Sequence, residues 1–175
     1  MSKVYLRALE PEDYKVSIAW RKDAEIWPLL GGTKYFVSEA YEKKWVENAI
    51  FGGNDIKLAI CDSETDTYIG NIYLNKIDKI NRSADIGILI GDKQYRQGGR
   101  GTDAVRQLLS YAFGELGLHR ITALILEENT ASRRTFSKLG FTEEGMYRDS
   151  VFKGGKYRNQ VVVSLLDYEY FNNII

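Results

Sequence analysis

The chain has 175 residues, with 24 Lys and Arg side chains balanced by 24 Asp and Glu side chains. This length predicts a single domain over residues 1–175, and the neutral charge argues against a nucleic-acid binder or a polybasic membrane-surface protein. One Cys and one His exclude an internal disulfide and a Cys/His zinc site, because such a site needs three or four ligands. No stretch resembles a secretory signal or a membrane-spanning helix, so we expect a cytoplasmic protein with neither nucleic-acid nor membrane partners.

In the first half of the chain, apolar periodicity predicts strands and two helices. Pro11 suits the first turn of a helix that runs through Trp20, and Ser38 is a candidate N-cap for a second helix. Strand-like patterns occur at residues 4–8, 56–61, 68–77 and 84–90. Gly87 interrupts the last of these strands and indicates a bulge or a close backbone approach.

The second half of the chain predicts two helices and three strands. A long amphipathic helix ends at Gly117, and Asn129 or Thr130 caps a helix that ends near Leu139. The apolar face of the long helix comprises Ala104, Val105, Leu108, Leu109, Ala112, Phe113 and Leu116. Strands are expected at residues 120–126, 145–152 and 156–167. The order β-α-α-β-β-β-α-β-α-β-β predicts an α/β protein with a mixed sheet and not a regular βαβ alternation.

A glycine-rich loop, Arg96-Gln97-Gly98-Gly99-Arg100-Gly101-Thr102, lies between a predicted buried strand and the long helix. Glycines let backbone N–H groups approach a ligand closely, and the helix N-terminus adds unpaired donors and a positive dipole end. The loop therefore predicts a site for phosphate or pyrophosphate, with an ordinary tight turn as the alternative. No Walker sequence is present. Gly99-x-Gly101-x-x-Ala104 matches a dinucleotide fingerprint, but it follows several strands instead of the first.

Four motifs, in order along the chain, resemble those of the GNAT acetyltransferases. They are the opening residues 6–13 with Trp20-Arg21, then Ala84-Asp85-Ile86-Gly87, then Arg96-x-x-Gly99-x-Gly101, and then Asn129-x-x-Ser132 with Lys138-Leu139-Gly140-Phe141. The opening resembles the RimJ/RimL branch of that family, and residues 155–159 are similar to that branch and to spermidine acetyltransferases. The resemblance extends over nearly the whole chain, from about Val4 to Tyr170.

That resemblance implies a GNAT fold, in which a mostly antiparallel sheet of about six or seven strands is flanked by about four helices and splayed beside the glycine-rich loop. It also implies acetyl-CoA as co-substrate and no metal, with the pyrophosphate in the loop and the pantetheine arm in the splay. The residues implied to contact acetyl-CoA are Ile88, Ile90, Arg96, Gln97, Gly98, Gly99, Arg100, Gly101, Thr102, Asn129, Ser132 and Arg133.

Acetyl transfer to an amine needs a base for the amine proton and polarisation of the thioester carbonyl, and an acid can protonate the leaving thiolate. The resemblance implies Asp85 as the base, acting through water because Asp is shorter than the Glu of several members. An ion pair with a nearby Lys or Arg is the alternative. Phe136 occupies the position at which many members have a Tyr whose hydroxyl acts as the acid. Some RimL-like members have a Ser three residues after the Asn, so the resemblance implies Ser132 as the candidate acid. The alternatives are a helix-surface Ser, Tyr147 or Tyr157 as the acid, and a thiolate that leaves without an acid.

The acceptor is expected to be a small-molecule or peptide amine, with a peptide N-terminus, a polyamine, an amino sugar and an antibiotic amine all open. Spermidine acetyltransferases tend to have an acidic run after the first helix, whereas this chain is apolar at residues 27–32, which weakens the polyamine interpretation. Aromatic residues expected in the core or an acceptor cleft are Trp20, Trp27, Tyr35, Phe36, Tyr41 and Trp45.

A homodimer is one candidate assembly. The alternative functions are a non-catalytic acyl-CoA sensor and a nucleotide- or NAD(P)-binding enzyme.

Overall fold

The computed structural model describes residues 2–32 and 36–172, so Tyr35 lies outside the described residues. Within these ranges the strands are β1 (Val4–Ala8), β2 (Ile56–Asp62), β3 (Tyr68–Asp78), β4 (Ser83–Ile90), β5 (Arg120–Leu126), β6 (Thr142–Lys153) and β7 (Lys156–Leu166). The helices are α1 (Tyr14–Lys22), α2 (Glu39–Phe51), α3 (Arg100–Gly114), α4 (Thr130–Lys138) and α5 (Asp167–Asn172). None of the helices in the described ranges is long and apolar enough to cross a membrane.

The seven strands form one sheet in the order β1-β2-β3-β4-β5-β7-β6. Every neighbouring pair is antiparallel except β4 and β5, which run parallel. The parallel pair is the place where α3 crosses from one strand to the next, as a parallel connection requires. The predicted mixed, mostly antiparallel sheet is therefore confirmed.

The sheet splits between β4 and β5. These strands pair only over Ser83–Asp85 and Arg120–Thr122, although β4 continues to Ile90 and β5 to Leu126. Beyond the split, β4 stays paired with β3 and β5 stays paired with β7. Two strand edges therefore face each other across a gap, and the expected splay is confirmed.

Helices cover both faces of the sheet, so the core has two parts. On one face α3 buries six of the seven predicted apolar residues, those from Ala104 to Phe113, against the sheet, and α4 adds Phe136. The prediction was wrong for Leu116, which lies beyond the end of α3 at Gly114 and is exposed. On the other face Trp20 of α1 and Val46 of α2 are buried, and Trp20 packs with the strand residues Cys61 and Tyr68. Burying this apolar surface on both sides is the main favourable term in the stability of such a layered domain.

The helices and strands of the structure differ from the predicted ones mainly at their ends. Pro11–Asp13 form a 3-10 turn, so α1 begins at Tyr14 and continues to Lys22. The last strand ends at Leu166, and the short helix α5 follows it where we had predicted only a strand end. A long-range contact lies at this change of direction, where His119 Nδ1 is 2.9 Å from Asp167 Oδ1. Such contacts leave no periodic signal in the sequence.

Candidate active site

The glycine-rich loop adopts a backbone that favours glycine. Gly98 and Gly99 have φ values of +84° and +86°, and Gly99 is the N-cap of α3. Asp103 N–H donates to Gly99 O at 3.0 Å, which is the first hydrogen bond of the helix. Helix geometry leaves the N–H groups of the three residues between them, Arg100, Gly101 and Thr102, without intrahelical partners. The loop and helix end therefore form the predicted cluster of anion-binding donors.

A cavity of about 560 Å³ lies in front of this helix end, and we call it the loop groove. From the loop it is lined by Arg96, Gln97, Gly98, Gly99, Gly101 and Thr102, and from β4 by Ile88, Leu89 and Ile90. From α4 it is lined by Ala131, Ser132, Arg134, Thr135 and Lys138. None of the described residues that line it is acidic, and three are basic. The groove is thus electrostatically suited to an anion.

Lys3 adds another cation beside the loop. Its Nζ donates to Gly98 O, and a Cβ placed on Gly99 would lie 3.6 Å from the same nitrogen. The one acidic residue in the first turn of α3, Asp103, is turned away from the loop, because it accepts hydrogen bonds from Ser2 Oγ and Lys3 N–H. The sequence contained no signal for Lys3, which lies 95 positions from Gly98.

The side chains of the two loop arginines, Arg96 and Arg100, form hydrogen bonds with other parts of the fold. Arg96 donates to Ile90 O at 3.2 Å, to Gly91 O at 2.9 Å and to Asp23 Oδ2 at 3.1 Å. Arg100 Nε lies 2.5 Å from Asp62 Oδ2. The Arg96 guanidinium is therefore engaged within the fold, whereas only Nε of Arg100 has an acceptor among the described residues, and Arg100 does not line the loop groove. A contact of either residue with acetyl-CoA stays a prediction.

A second cavity, of about 290 Å³, fills the gap between β4 and β5, and we call it the splay cavity. It is lined by Ile86–Leu89 of β4, Ala123–Leu126 of β5, Ser132 and Phe136 of α4, Tyr73 of β3, and Arg21, Trp27 and residues 29–32. Six residues line both cavities: Leu29, Leu30, Ile88, Leu89, Asn129 and Ser132. The loop groove and the splay cavity therefore meet at the split in the sheet.

The backbone of β4 presents alternate residues to this gap. Gly91 N–H donates to Ile69 O on the β3 side, so alternation along the strand turns the backbone groups of Ile88 and Ile90 toward β5. Ile90 O is already bonded by Arg96. Of Ile88 and Ile90, the two β4 residues predicted to contact acetyl-CoA through their backbone, Ile88 is thus the more accessible from the gap.

Comparisons with known proteins identify the family to which this chain belongs. Residues 3–142 match the family model described as an acetyltransferase (GNAT) domain. The chain belongs to the GNAT acetyltransferase family. It is 32% identical over 170 residues to the uncharacterized N-acetyltransferase p20 of Bacillus licheniformis, covering 96% of this chain and 95% of that one. It is 26% identical to the spermidine N(1)-acetyltransferase of Escherichia coli K12, covering 95% and 88%.

A solved structure agrees with this assignment. The crystal structure of spermidine N-acetyltransferase from Vibrio cholerae in complex with CoA and spermine has a TM-score of 0.89 and 25% identity. The match covers 98% of this acetyltransferase and all of that chain. The predicted family, the GNAT fold and the acetyltransferase activity are thereby confirmed. Among the residues that the structure describes, no group of three or more His, Cys, Asp or Glu is placed to hold a metal.

In this acetyltransferase Asp85 lies at the beginning of the split. It is the last β4 residue that pairs with β5, and its partner there is Thr122. Its carboxylate forms an ion pair with Lys76, with Nζ 2.9 Å from Oδ2, and it lines neither cavity. The ion pair that we named as the alternative is therefore present. A role for Asp85 as base stays a prediction, and it requires a water or a rearranged side chain between Asp85 and the amine.

Asn129 caps α4 and also anchors the segment before it. Its Oδ1 accepts from Ser132 N–H at 3.1 Å, and its Nδ2 donates to Leu29 O at 3.0 Å. Lys153 Nζ donates to Trp27 O at 2.5 Å in the same segment, and burial lowers the pKa of Lys153. Each end of the Asn129 amide thus makes one hydrogen bond, so one Nδ2 N–H and one Oδ1 lone pair remain for a contact with pantetheine.

Ser132 and Phe136 lie one turn apart on α4 and share a face, because residues four positions apart are neighbours on a helix. Both line the splay cavity. The ring of Phe136 is only 2% exposed and packs edge-on against Phe141, with centroids 4.9 Å apart. Ser132 Oγ has no hydrogen-bond partner among the described residues, so its proton is available to the cavity. Tyr147 and Tyr157 are 53% and 62% exposed and line neither cavity.

The structure does not bring Arg133 into the loop groove. Its guanidinium donates to Glu127 O and to Glu143 Oε2, on the outer side of α4. The next residue, Arg134, lines the groove instead, together with Lys138 one turn later. Successive helical residues are rotated by about 100°, so only one of two adjacent arginines can face the groove.

Proposed function

We propose that this acetyltransferase moves the acetyl group of acetyl-CoA directly to a primary amine. The observation that carries the proposal is the meeting of the loop groove and the splay cavity along Ile88 and Ser132. A long anionic cofactor with its phosphates at the loop has its thioester at this junction. The amine then approaches from the splay cavity, on the other side of the thioester carbon.

The groove offers complementary groups for each part of acetyl-CoA. The N–H groups at the start of α3, with Lys3, Arg134 and Lys138 nearby, suit the phosphates. The backbone of Ile88 faces the gap and suits the pantetheine amides, which then add to the edge of β4 as a short strand would. The N–H group of Ile88 can also polarise the thioester carbonyl, where negative charge develops during transfer.

The chemistry then needs few side chains. The amine nitrogen attacks the thioester carbon, an N–C bond forms, and the tetrahedral intermediate collapses with cleavage of the C–S bond. The proton of the amine passes through water to Asp85. The departing thiolate takes a proton from Ser132 Oγ, which regains one from solvent.

Thiol release and calorimetry test this function. Purified protein is mixed with acetyl-CoA and a panel of amines that includes peptides, polyamines, amino sugars and amino acids, and free CoA thiol is measured. We expect CoA binding in calorimetry and turnover with at least one class of amine. Binding of NAD(P) without binding of CoA would contradict the proposal.

Ser132 has a matched control on its own helix. Ser132→Ala should lower kcat by about a hundredfold or more, the range for loss of a positioned acid, with CoA affinity unchanged. Ser137 is exposed on the outer side of α4, and Ser137→Ala should leave both quantities unchanged. Equal kcat values for Ser132→Ala and wild type would remove Ser132 from the chemistry.

A non-catalytic acyl-CoA sensor is the second candidate function. Phe136 motivates it, because its buried ring has no proton to give where many family members have a Tyr. Tight CoA binding with no thiol release on any amine of the panel would favour the sensor.

A further inference from the structure

The wall of the splay cavity carries a single charge. Arg21, near the end of α1, is the one charged side chain among the described residues that line this cavity. The rest of the lining is apolar, aromatic or neutral and includes Trp27, Tyr73 and Asn129. No carboxylate of the described residues lines it. A cavity of this kind has no counter-charge for a polycation but has a donor for an anion.

The guanidinium of Arg21 is held rigidly from one side. Its Nε lies 2.8 Å from Oε2 of Glu42, which is fully buried and also accepts from Ser17 Oγ at 2.7 Å. The group stacks on the ring of Trp45, with Cζ 5.2 Å from the centroid. Trp27 Nε1 donates to the backbone carbonyl of Arg21 at 2.8 Å. These contacts position the guanidinium before any substrate arrives.

The remaining donors of Arg21 are unused. Guanidinium carries five N–H bonds, and only the one on Nε has an acceptor within residues 2–32 and 36–172. Tyr73, on the cavity wall, is close to the charge: burial raises the pKa of its phenol to about 12, and Arg21 opposes that rise. The two terminal nitrogens form a fork whose geometry matches a carboxylate.

We propose that the acceptor is an amino acid or a similar amine that carries a carboxylate, and that Arg21 binds this carboxylate while the amine faces the thioester. The inference rests on the proposed function and names the class of its acceptor. Arg21 determines specificity here, and Glu42 positions it. A diamine would instead place its second ammonium beside a guanidinium in a cavity without a carboxylate, where like charges repel.

The test compares three acceptors of equal chain length: an amino acid, its primary amide and the corresponding diamine. We expect kcat/KM for the acid to exceed that of the amide by about tenfold or more, the range for a charge-assisted hydrogen bond. The diamine should be the poorest acceptor. Equal values for acid and amide, or a preference for the diamine, would overturn the inference.

Two variants link the preference to Arg21. Arg21→Lys keeps a counter-charge for buried Glu42 but loses the fork, and the double variant Arg21→Gln/Glu42→Gln leaves no unpaired buried charge. In both, the acid-to-amide ratio should fall about tenfold, with unchanged CoA affinity. Arg106→Gln, on the exposed surface of α3, is the control and should keep the wild-type ratio.

The outcomes separate this inference from the proposed function. No CoA binding, or no turnover of any amine, would reject the proposed function and the inference with it. Turnover of amides or diamines without a preference for the acid would reject only the inference, as would a preference that survives in both Arg21 variants. Because the wild-type comparison is decisive alone, a variant that fails to fold leaves the test intact.

Discussion

Lys76 and Asp85 form an ion pair across the β3–β4 hairpin, with Nζ 2.9 Å from Oδ2. Lys76 has a left-handed backbone, with φ of +52°, at the irregular end of the pairing between the two strands. The hydrogen bond with Asp85 raises the pKa of Lys76. The pair is solvent-exposed, so it contributes little to stability. Its effect is to hold a carboxylate at the residue where the sheet begins to split.

Replacing either member of this pair distinguishes a base from a surface ion pair. Asp85→Asn should lower kcat by about a hundredfold or more and remove the acidic limb of the pH–rate profile, with CoA affinity unchanged. Lys76→Gln removes the same ion pair but keeps the carboxylate, and its free energy of unfolding should stay within about 1 kcal/mol of wild type. An Asp85→Asn enzyme with the wild-type pH–rate profile would show that Asp85 is not the base.

Substitution of Gly101 tests the phosphate site at the loop without straining the backbone. A Cβ there would approach Ile88 Cδ1 only to 3.8 Å, an ordinary contact, but it would occupy the groove. Gly101→Ala should therefore weaken CoA binding about tenfold while stabilising α3 by up to about 1 kcal/mol. Gly114, at the other end of α3, has open space around it, and Gly114→Ala is the matched control. Equal CoA affinities of the two variants by calorimetry would contradict a phosphate site at the loop.

Two substitutions of Asn129 separate its cap from its anchor. Asn129→Ala should lower the free energy of unfolding by about 1 kcal/mol, since α4 loses its N-cap. Ser is also a good N-cap, so Asn129→Ser should keep nearly all of that stability, but it cannot replace the donor to Leu29 O. Both variants should bind CoA several-fold more weakly, about fivefold for one lost hydrogen bond. Thermal unfolding and calorimetry check the two effects, and wild-type CoA affinity in the Ser variant would show that the anchor is irrelevant to binding.

Acid should destabilise this protein through Asp62. Burial opposes ionisation of this carboxyl, but the hydrogen bonds from Arg100 and Thr65 outweigh burial and hold its pKa below the ordinary value. A carboxyl with a lower pKa in the folded state stabilises fully above its unfolded pKa, about 3.9. The contribution is lost as the pH falls through the folded-state pKa, so the free energy of unfolding should drop below about pH 4.

Asp62→Asn should lower the free energy of unfolding at pH 7 by about 3 kcal/mol, because it leaves Arg100 without its partner. It should also flatten the loss of stability in acid. Glu64→Gln, in the exposed turn that follows, serves as the control and should keep the wild-type slope. Denaturant unfolding between pH 2.5 and pH 7 gives both values. An unchanged acid slope in Asp62→Asn would place the acid sensitivity elsewhere.

Features that depend on local stereochemistry were predictable from the sequence. The apolar face of α3 repeats every three to four residues, so its burial could be inferred from the pattern of Ala104, Val105 and Leu108. Gly98 and Gly99 have the positive φ that only glycine adopts readily, and Asn129 caps α4 through its own neighbour. In each case the interacting groups lie within a few residues of one another.

The sequence by itself thus determined the order of elements through β7, the glycine-rich loop and the family resemblance, because short-range patterns encode all three. Only the tertiary structure decided which side chains meet. It brought Lys3 to Gly98, turned Arg134 instead of Arg133 into the groove, and paired Asp85 with Lys76. It also placed Arg21 on the wall of the splay cavity with Glu42 behind it. These contacts depend on how the sheet twists and how the helices pack, and no local pattern records either.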